Sequence, residues 1–194
     1  MINQIISWLE RQRRTAVLRH VQGRYLDVGC GQNNAVKDYR KRGGEGTGID
    51  VYDFGGADRI VQDTSKLDYP DGAFDTISFI ACLNHIPNRA DALKEAFRLL
   101  SPGGRVVITM IPPRLSAVWH LLIRPWDEDQ TDRGMKEGEV CGLTPDEICG
   151  LLERSGFVVE THSRFVFGLN NLFVATQKPN QGAATASGAL PVAH

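Results

Sequence analysis

The sequence predicts a single doubly wound α/β domain with a mainly parallel sheet, and three observations carry that expectation. Short apolar runs that read as strands alternate with helical segments or tight connections along most of the chain. The first such run ends in Tyr25-Leu-Asp-Val28 and turns abruptly through Gly29-Cys-Gly31 into a helical segment, a bend at which α/β folds bring backbone N–H groups close to a ligand. At 194 residues, with 42% hydrophobic and 23% charged residues, the chain suits one domain with a sizeable core and leaves little room for a second.

Residues 2–20 place Ile2, Ile5, Ile6, Leu9, Val17 and Leu18 at helical spacing, with Arg11, Arg13, Arg14 and Arg19 between them. A basic amphipathic helix can lie on a membrane; the simpler reading is a helix that caps the core and solvates its basic face. After the strand at 24–28 come a helix over 35–41, a break at Gly43-Gly44 and a second strand at 47–50. Only residues 51–58, with two adjacent glycines, precede a third strand at 59–62, and they are too few for a crossover helix. Residues 74–81 read as a fourth, strongly apolar strand. The clearest helix spans 88–100, with Ala92, Leu93, Ala96, Phe97 and Leu100 on one face, and Ser101-Pro-Gly-Gly104 stops it. A fifth strand follows at 105–111. A helix then starts at Thr144-Pro-Asp-Glu147, with Thr144 as N-cap, Pro145 at the first position and Glu147 closing a capping box. Strands at 157–167 and 171–177 meet around Gly168, and from 179 the Ala, Gly, Ser and Pro composition predicts a disordered tail.

A net charge of −1 gives no reason to expect nucleic acid or an anionic membrane as a partner. No apolar run reaches the roughly 20 residues of a membrane span. The N-terminal apolar residues are broken by Asn3, Gln4, Ser7 and Glu10, unlike a signal peptide. The four cysteines, Cys30, Cys82, Cys141 and Cys149, lack metal-ligand spacing and read as buried thiols in a reducing compartment. A cytoplasmic protein without a metal site is the expectation.

Asp27 stands just before the glycine bend, where an acidic group suits a ligand carrying an ammonium and repels a pyrophosphate. Asn34 occupies the place of the third glycine of a dinucleotide fingerprint. Asp50 ends the second strand, where a carboxylate can accept hydrogen bonds from both ribose hydroxyls; a surface turn over Asp50-Val-Tyr-Asp53 is the other reading. Asp63 and the Thr64 backbone N–H can hold an adenine ring, although alone Asp63 reads as a helix or turn cap. Three acidic residues at successive strand ends point together to one ligand at the carboxyl edge of the sheet.

The ordered series Leu26-Asp-Val-Gly-Cys-Gly31, Gly48-Ile-Asp50, Gln62-Asp63, Leu67-Asp-Tyr-Pro-Asp-Gly-Ala-Phe-Asp75, Asn84-His-Ile-Pro87 and Arg98-Leu-Leu-Ser-Pro-Gly-Gly104 resembles the class I S-adenosylmethionine-dependent methyltransferases. It is most similar to their type 11 branch, which acts mostly on small molecules. The resemblance runs from about residue 23 to 109, and more loosely to 178. It implies a Rossmann-like seven-stranded sheet with an antiparallel last strand. The implied organisation is an N-terminal amphipathic helix over 1–22, a methyltransferase domain over 23–178 with an acceptor-side insertion at 111–143, and a tail at 179–194. The implied cofactor is S-adenosylmethionine, with methionyl contacts from Asp27, Gly29, Cys30 and Gly31, and from Ile80 and Ala81. Asp50, with Val51 beside it, would meet the ribose, and Asp63 and Thr64 the adenine. The chain departs from the family at Asn33, where glycine is usual, and in the shortened stretch after Asp50, which leaves no covering helix on the adenine side.

Methyl transfer needs in-line placement of a nucleophile, and a general base where the acceptor must lose a proton. His85, just past the fourth strand, suits that base, with Asn84 orienting the acceptor; the alternative is a loop residue packed under Ile86-Pro87. His120 and His162 have no comparable context. Trp119, Leu121, Leu122 and Trp126 can form an apolar wall facing the acceptor, with Asp127-Glu-Asp129, Arg133 and Lys136 as a charged rim; a core helix with a solvated loop is the other reading. Competing functions are an NAD(P)-dependent oxidoreductase on a related fold, a non-catalytic S-adenosylmethionine-binding protein, and an RNA or protein methyltransferase. Near-zero net charge without a long basic stripe weakens the RNA reading. A small-molecule acceptor is expected, its identity open.

Overall fold

The structure, a computed structural model, describes residues 2–113 and 137–179. Helix α1 (Ile2–Leu18) leads into β1 (Arg24–Val28), α2 (Asn34–Arg40), β2 (Glu45–Asp50) and the very short β3 (Arg59–Ile60). Next come β4 (Phe74–Ile80), a single 3-10 turn (Leu83–His85), α3 (Arg89–Leu99) and β5 (Leu100–Met110). Helix α4 (Pro145–Arg154), β6 (Phe157–Phe165) and β7 (Asn170–Gln177) complete the described chain. The strands form one seven-stranded sheet in the order β3-β2-β1-β4-β5-β7-β6. β1 to β5 pair in parallel, and β7 lies antiparallel to both β5 and β6. This is the expected doubly wound sheet with its antiparallel final strand.

Apolar residues cover both faces because helices pack on both. Leu26, Val28, Ile49, Ile77 and Phe79 share a core with Leu93 and Ala96 of α3 and Ile148 and Leu152 of α4. On the opposite face Val17 of α1 packs with Val107, Leu172 and Val174, while Leu18 meets Tyr25, Ala35 and Val36. Each fully buried side chain of this size contributes about 1.5–3 kcal/mol. The α4 capping box forms as expected, with Glu147 N–H donating to Thr144 Oγ1 (3.3 Å) and Thr144 N–H to Glu147 Oε2 (2.7 Å).

Two of the family-like motifs are architectural ties. Asp75, at the start of β4, accepts from the Arg24 N–H (2.8 Å), the Arg24 guanidinium (3.0 and 3.1 Å) and Ser101 Oγ (2.7 Å). The hydrogen-bonded Arg24 guanidinium holds the Asp75 carboxyl well below the usual carboxylate range. Arg98 binds the Tyr69 and Leu67 carbonyls (2.9 and 3.1 Å) together with Asp71 and Glu95 (both 2.6 Å), fastening the 67–71 loop to α3.

Three expectations need correction. β5 begins at Leu100, because Ser-Pro-Gly-Gly forms an irregularity within the strand: the pairing jumps from Phe74↔Leu100 to Thr76↔Arg105. β3 stops at Ile60; Val61 N–H still bonds Asp50 O (2.8 Å), but the ladder goes no further. The cysteines are not uniformly buried, since Cys141 is exposed and Cys30, Cys82 and Cys149 are half-buried. Residues 51–58 form no helix, as their length requires. Gly56 lies so close to the Gln32 backbone that a Cβ would come within 2.6 Å of it. Trp119, His120, Leu121, Leu122, Trp126, Asp127, Glu128, Asp129, Arg133 and Lys136 lie outside the described residues, as does the tail from 180.

Candidate functional site

At the carboxyl end of β1, Gly29 (φ +71) and Gly31 (φ +51) bend the chain into α2. Gly29 tolerates no side chain there, because a Cβ would meet Cys82 at 2.8 Å, whereas nothing lies within 4 Å of the corresponding position at Gly31. Asn33, standing where glycine is usual, takes a left-handed conformation (φ 59, ψ 28), which asparagine tolerates better than most residues. Its buried side chain packs against Gly48, where a Cβ would overlap Oδ1. Asn33 Nδ2 donates to Asp58 (3.0 Å), which also accepts from Gly48 N–H (2.8 Å) and the Arg40 guanidinium (3.0 Å). Asp58 thus organises the bend from beneath.

Asp27 and Asp50 are buried beside this bend, 2% and 6% exposed. Asp27 Oδ1 accepts a hydrogen bond from Ser78 Oγ, itself 2.7 Å from the Tyr25 hydroxyl. Burial pushes the Asp27 carboxyl up to about 7; the Ser78 and Tyr25 hydrogen bonds oppose the shift and the Asp50 charge adds to it. Asp50 Oδ2 accepts from Gly31 N–H (2.8 Å) and Oδ1 from Tyr52 N–H (3.1 Å), so it braces the bend while each oxygen keeps further acceptor capacity. Among the described residues, neither carboxylate has a lysine or arginine at ion-pair distance. Among the described residues a pyrophosphate here would face two carboxylates and no paired cation, which argues against a dinucleotide.

Asp63 is half-buried beyond β3. Its Oδ1 accepts from Ser65 N–H (2.8 Å), Ser65 Oγ (2.7 Å) and Asn88 Nδ2 (3.1 Å), and the Ser65 hydrogen bonds lead in holding its carboxyl below the ordinary value. Its observed bonding is therefore that of a turn cap tied to the start of α3. Thr64 beside it is buried, and Val51 is 41% exposed.

β4 delivers Ile80 to the same edge, and Ala81 follows with φ +53, its N–H bonded to Thr109 O (3.0 Å). A non-glycine residue in this conformation stores about 1–3 kcal/mol, and such strain clusters at functional positions. In the next turn Asn84 is buried; its side-chain Nδ2 donates to Val140 O (3.1 Å) and its backbone carbonyl accepts from Val140 N–H (3.0 Å). The amide expected to orient an acceptor instead clasps residue 140, because a buried amide must satisfy its donors. His85 Nδ1 lies 3.4 Å from Oε2 of Glu139, whose side chain is 1% exposed. Sequence reading misses Glu139, which sits 54 residues away from His85. His162 belongs elsewhere: it stacks flat on Phe173 (4.4 Å, 3°) and bonds Asn171.

Asp27, Gly29, Cys30, Gly31, Asp50 and Val51 thus gather at one bend, and Asp63, Thr64, Ile80, Ala81, Asn84 and His85 follow along the same edge. Residues 3–162 match the model of a family described as methyltransferase domain. A demethylmenaquinone methyltransferase from Tropheryma whipplei (strain Twist) is 26% identical over 182 residues, covering 79% of this chain and 74% of the relative. A ubiquinone biosynthesis O-methyltransferase from Dechloromonas aromatica (strain RCB) is 30% identical over 156 residues, covering 66% of this chain and 67% of the relative. The solved 1,6-didemethyltoxoflavin-N1-methyltransferase of Burkholderia thailandensis, with bound 1,6-didemethyltoxoflavin and S-adenosylhomocysteine, superposes with a TM-score of 0.64 at 19% identity, covering 87% of this chain and 77% of that one. At that identity the likeness is one of fold.

Proposed function

This chain belongs to the methyltransferase domain family, and from that premise we propose that it carries a methyl group from S-adenosylmethionine to an oxygen, nitrogen or carbon atom of a small organic acceptor. The observation that carries the reading is the pair of buried carboxylates, Asp27 and Asp50, beside a glycine bend, neither of them paired with a lysine or arginine among the described residues. A ligand bearing an ammonium and a sulfonium fits that deficit, and the open space at Gly31 admits it. Asp27 and the backbone of Gly29, Cys30 and Gly31 would hold the methionyl end, with Ile80 and Ala81 closing it. Asp50 would take the ribose hydroxyls beside Val51, and Asp63 with Thr64 the adenine.

The cofactor, when bound, supplies an electrophilic methyl on a positively charged sulfur. The chain's part is to hold that group and the acceptor in line and to exclude water. Where the acceptor is a hydroxyl or amine, His85 takes its proton, and Glu139 at Nδ1 stabilises the imidazolium that forms. Asn84, through its clasp on Val140, keeps Glu139 in register with His85.

The names of the two sequence relatives describe quinone-pathway methylation, which favours an aromatic or quinol-like acceptor over nucleic acid. Among the described residues no helix is long and apolar enough to cross a membrane, and we place the protein in the cytoplasm. Labelled-methyl transfer from S-adenosylmethionine to phenols, quinols, sugars, lipids and RNA tests the proposal. Label on a small organic acceptor supports it; label on RNA alone, or cofactor binding without turnover on any acceptor, overturns it.

A further inference from the structure

The carboxyl edge carries a second feature that methyl transfer does not use. The β6–β7 turn lies at this edge, because Asn171 of β7 pairs with Met110 at the end of β5. In that turn Val166 (φ +51), Phe167 (φ +55) and Gly168 (φ +81) are all left-handed. A β-branched residue and an aromatic one rarely adopt that backbone. Here they hold Phe167 96% exposed, with Leu169 beside it 40% exposed. Helix α1 is tied to the turn by Arg13 Nε donating to Asn170 Oδ1 (2.9 Å), and it adds the exposed Ile5 and Trp8. Trp8, Thr15 and Arg19 line a shared groove with Val166 and Phe167.

Charge singles out the occupant. Residues 2–20 hold Arg11, Arg13, Arg14 and Arg19 against Glu10 alone, and Arg164 flanks the turn, in a chain whose net charge is −1. Arg11, Arg19 and Arg164 are exposed and, among the described residues, take part in no ion pair. We infer that this face docks on an anionic lipid bilayer, with Phe167 and Trp8 entering the headgroup boundary and the arginines facing phosphates. The apolar groups stand on a projecting turn with Arg19 lining the groove beside it and Arg164 just before it in β6, an arrangement suited to a fluid anionic surface. Two copies of such a face would repel each other. Docked this way, the edge that bears the candidate site turns toward the lipid.

Flotation of the full chain with vesicles of phosphatidylcholine alone, and of phosphatidylcholine mixed with phosphatidylglycerol, tests this directly. The protein should float only with the mixed vesicles and be released by salt. Phe167→Ser should lower partitioning about tenfold, and Arg11→Gln with Arg19→Gln together about thirtyfold. An unchanged melting temperature would show that these exposed substitutions leave the fold intact. No flotation with the mixed vesicles, equal flotation with both, or wild-type flotation of Phe167→Ser would overturn the inference. So would a dimer that Phe167→Ser dissolves in place of vesicle binding. Attachment needs no turnover, so failure here leaves the methyl-transfer reading standing, and failure of S-adenosylmethionine binding leaves this one.

Discussion

Over β1 and β2 the carboxyl edge is held by residues close in sequence: Gly29 and Gly31 bend, Asp50 braces them, and Asp58 fixes Asn33 and Gly48 below. Beyond β4 the edge depends on distant partners, Asn84 reaching Val140 and His85 reaching Glu139 across 56 and 54 residues. The first region is a cradle formed by the core sheet itself. The second is assembled only when the segment that follows residue 136 comes back to the β4 turn. In the function proposed above, the local half holds the cofactor and the assembled half acts on the acceptor.

The largest expected effect is on the local half. Asp50→Ala removes the acceptor for two backbone N–H groups and, in the proposed site, for the ribose, and should weaken S-adenosylmethionine binding about a hundredfold by calorimetry; equal binding would break the division. Next, Gly48→Ala drives a methyl into Asn33 and should cost about 1–3 kcal/mol in chemical denaturation. Adding Asn33→Gly should restore most of that loss, and an additive double variant would refute the packing account.

A smaller effect concerns pH. Burial raises the Asp27 carboxyl to about 7 in the folded chain, above the ~3.9 of an unfolded one. The folded state therefore binds this proton more tightly, so the group's stabilising contribution is present at low pH and is lost as pH rises from ~4 through about 7. Cofactor binding runs the other way, since a cation favours the ionised carboxylate. Affinity for S-adenosylmethionine should rise several-fold from about pH 6 to about pH 8, and Asp27→Asn should flatten that rise while stabilising the cofactor-free protein at the higher pH. A flat wild-type profile would contradict the assignment. Smallest is Glu139→Gln, which should lower kcat about three- to tenfold on a proton-losing acceptor and leave cofactor affinity unchanged; a loss of cofactor affinity would show that the two halves are not separable.

What the sequence made legible follows the same division. Apolar strand runs, the glycine bend, the capping box at Thr144 and the acidic strand ends are local patterns, and the structure contains them. Asp75 and Arg98 were also visible as motif residues, though their work is to tie loops to strands. Ala81 in a left-handed conformation and Glu139 beside His85 arise from tertiary contact, and no nearby residue announces them. The early start of β5 has the same origin: Leu100 pairs with Phe74 although a Pro-Gly-Gly stretch interrupts the ladder.

The position of β7 sets an order on making this protein. Among the described residues it is the last of the seven strands in sequence, yet it lies inside the sheet, between β5 and β6, with Asn170 to Ala175 buried. Until it emerges from the ribosome, a nascent chain leaves one hydrogen-bonding edge of β5 open, and β6 has no neighbour to hang on. Premature termination before Asn170 would strip both at once, exposing a long unpaired edge that invites aggregation.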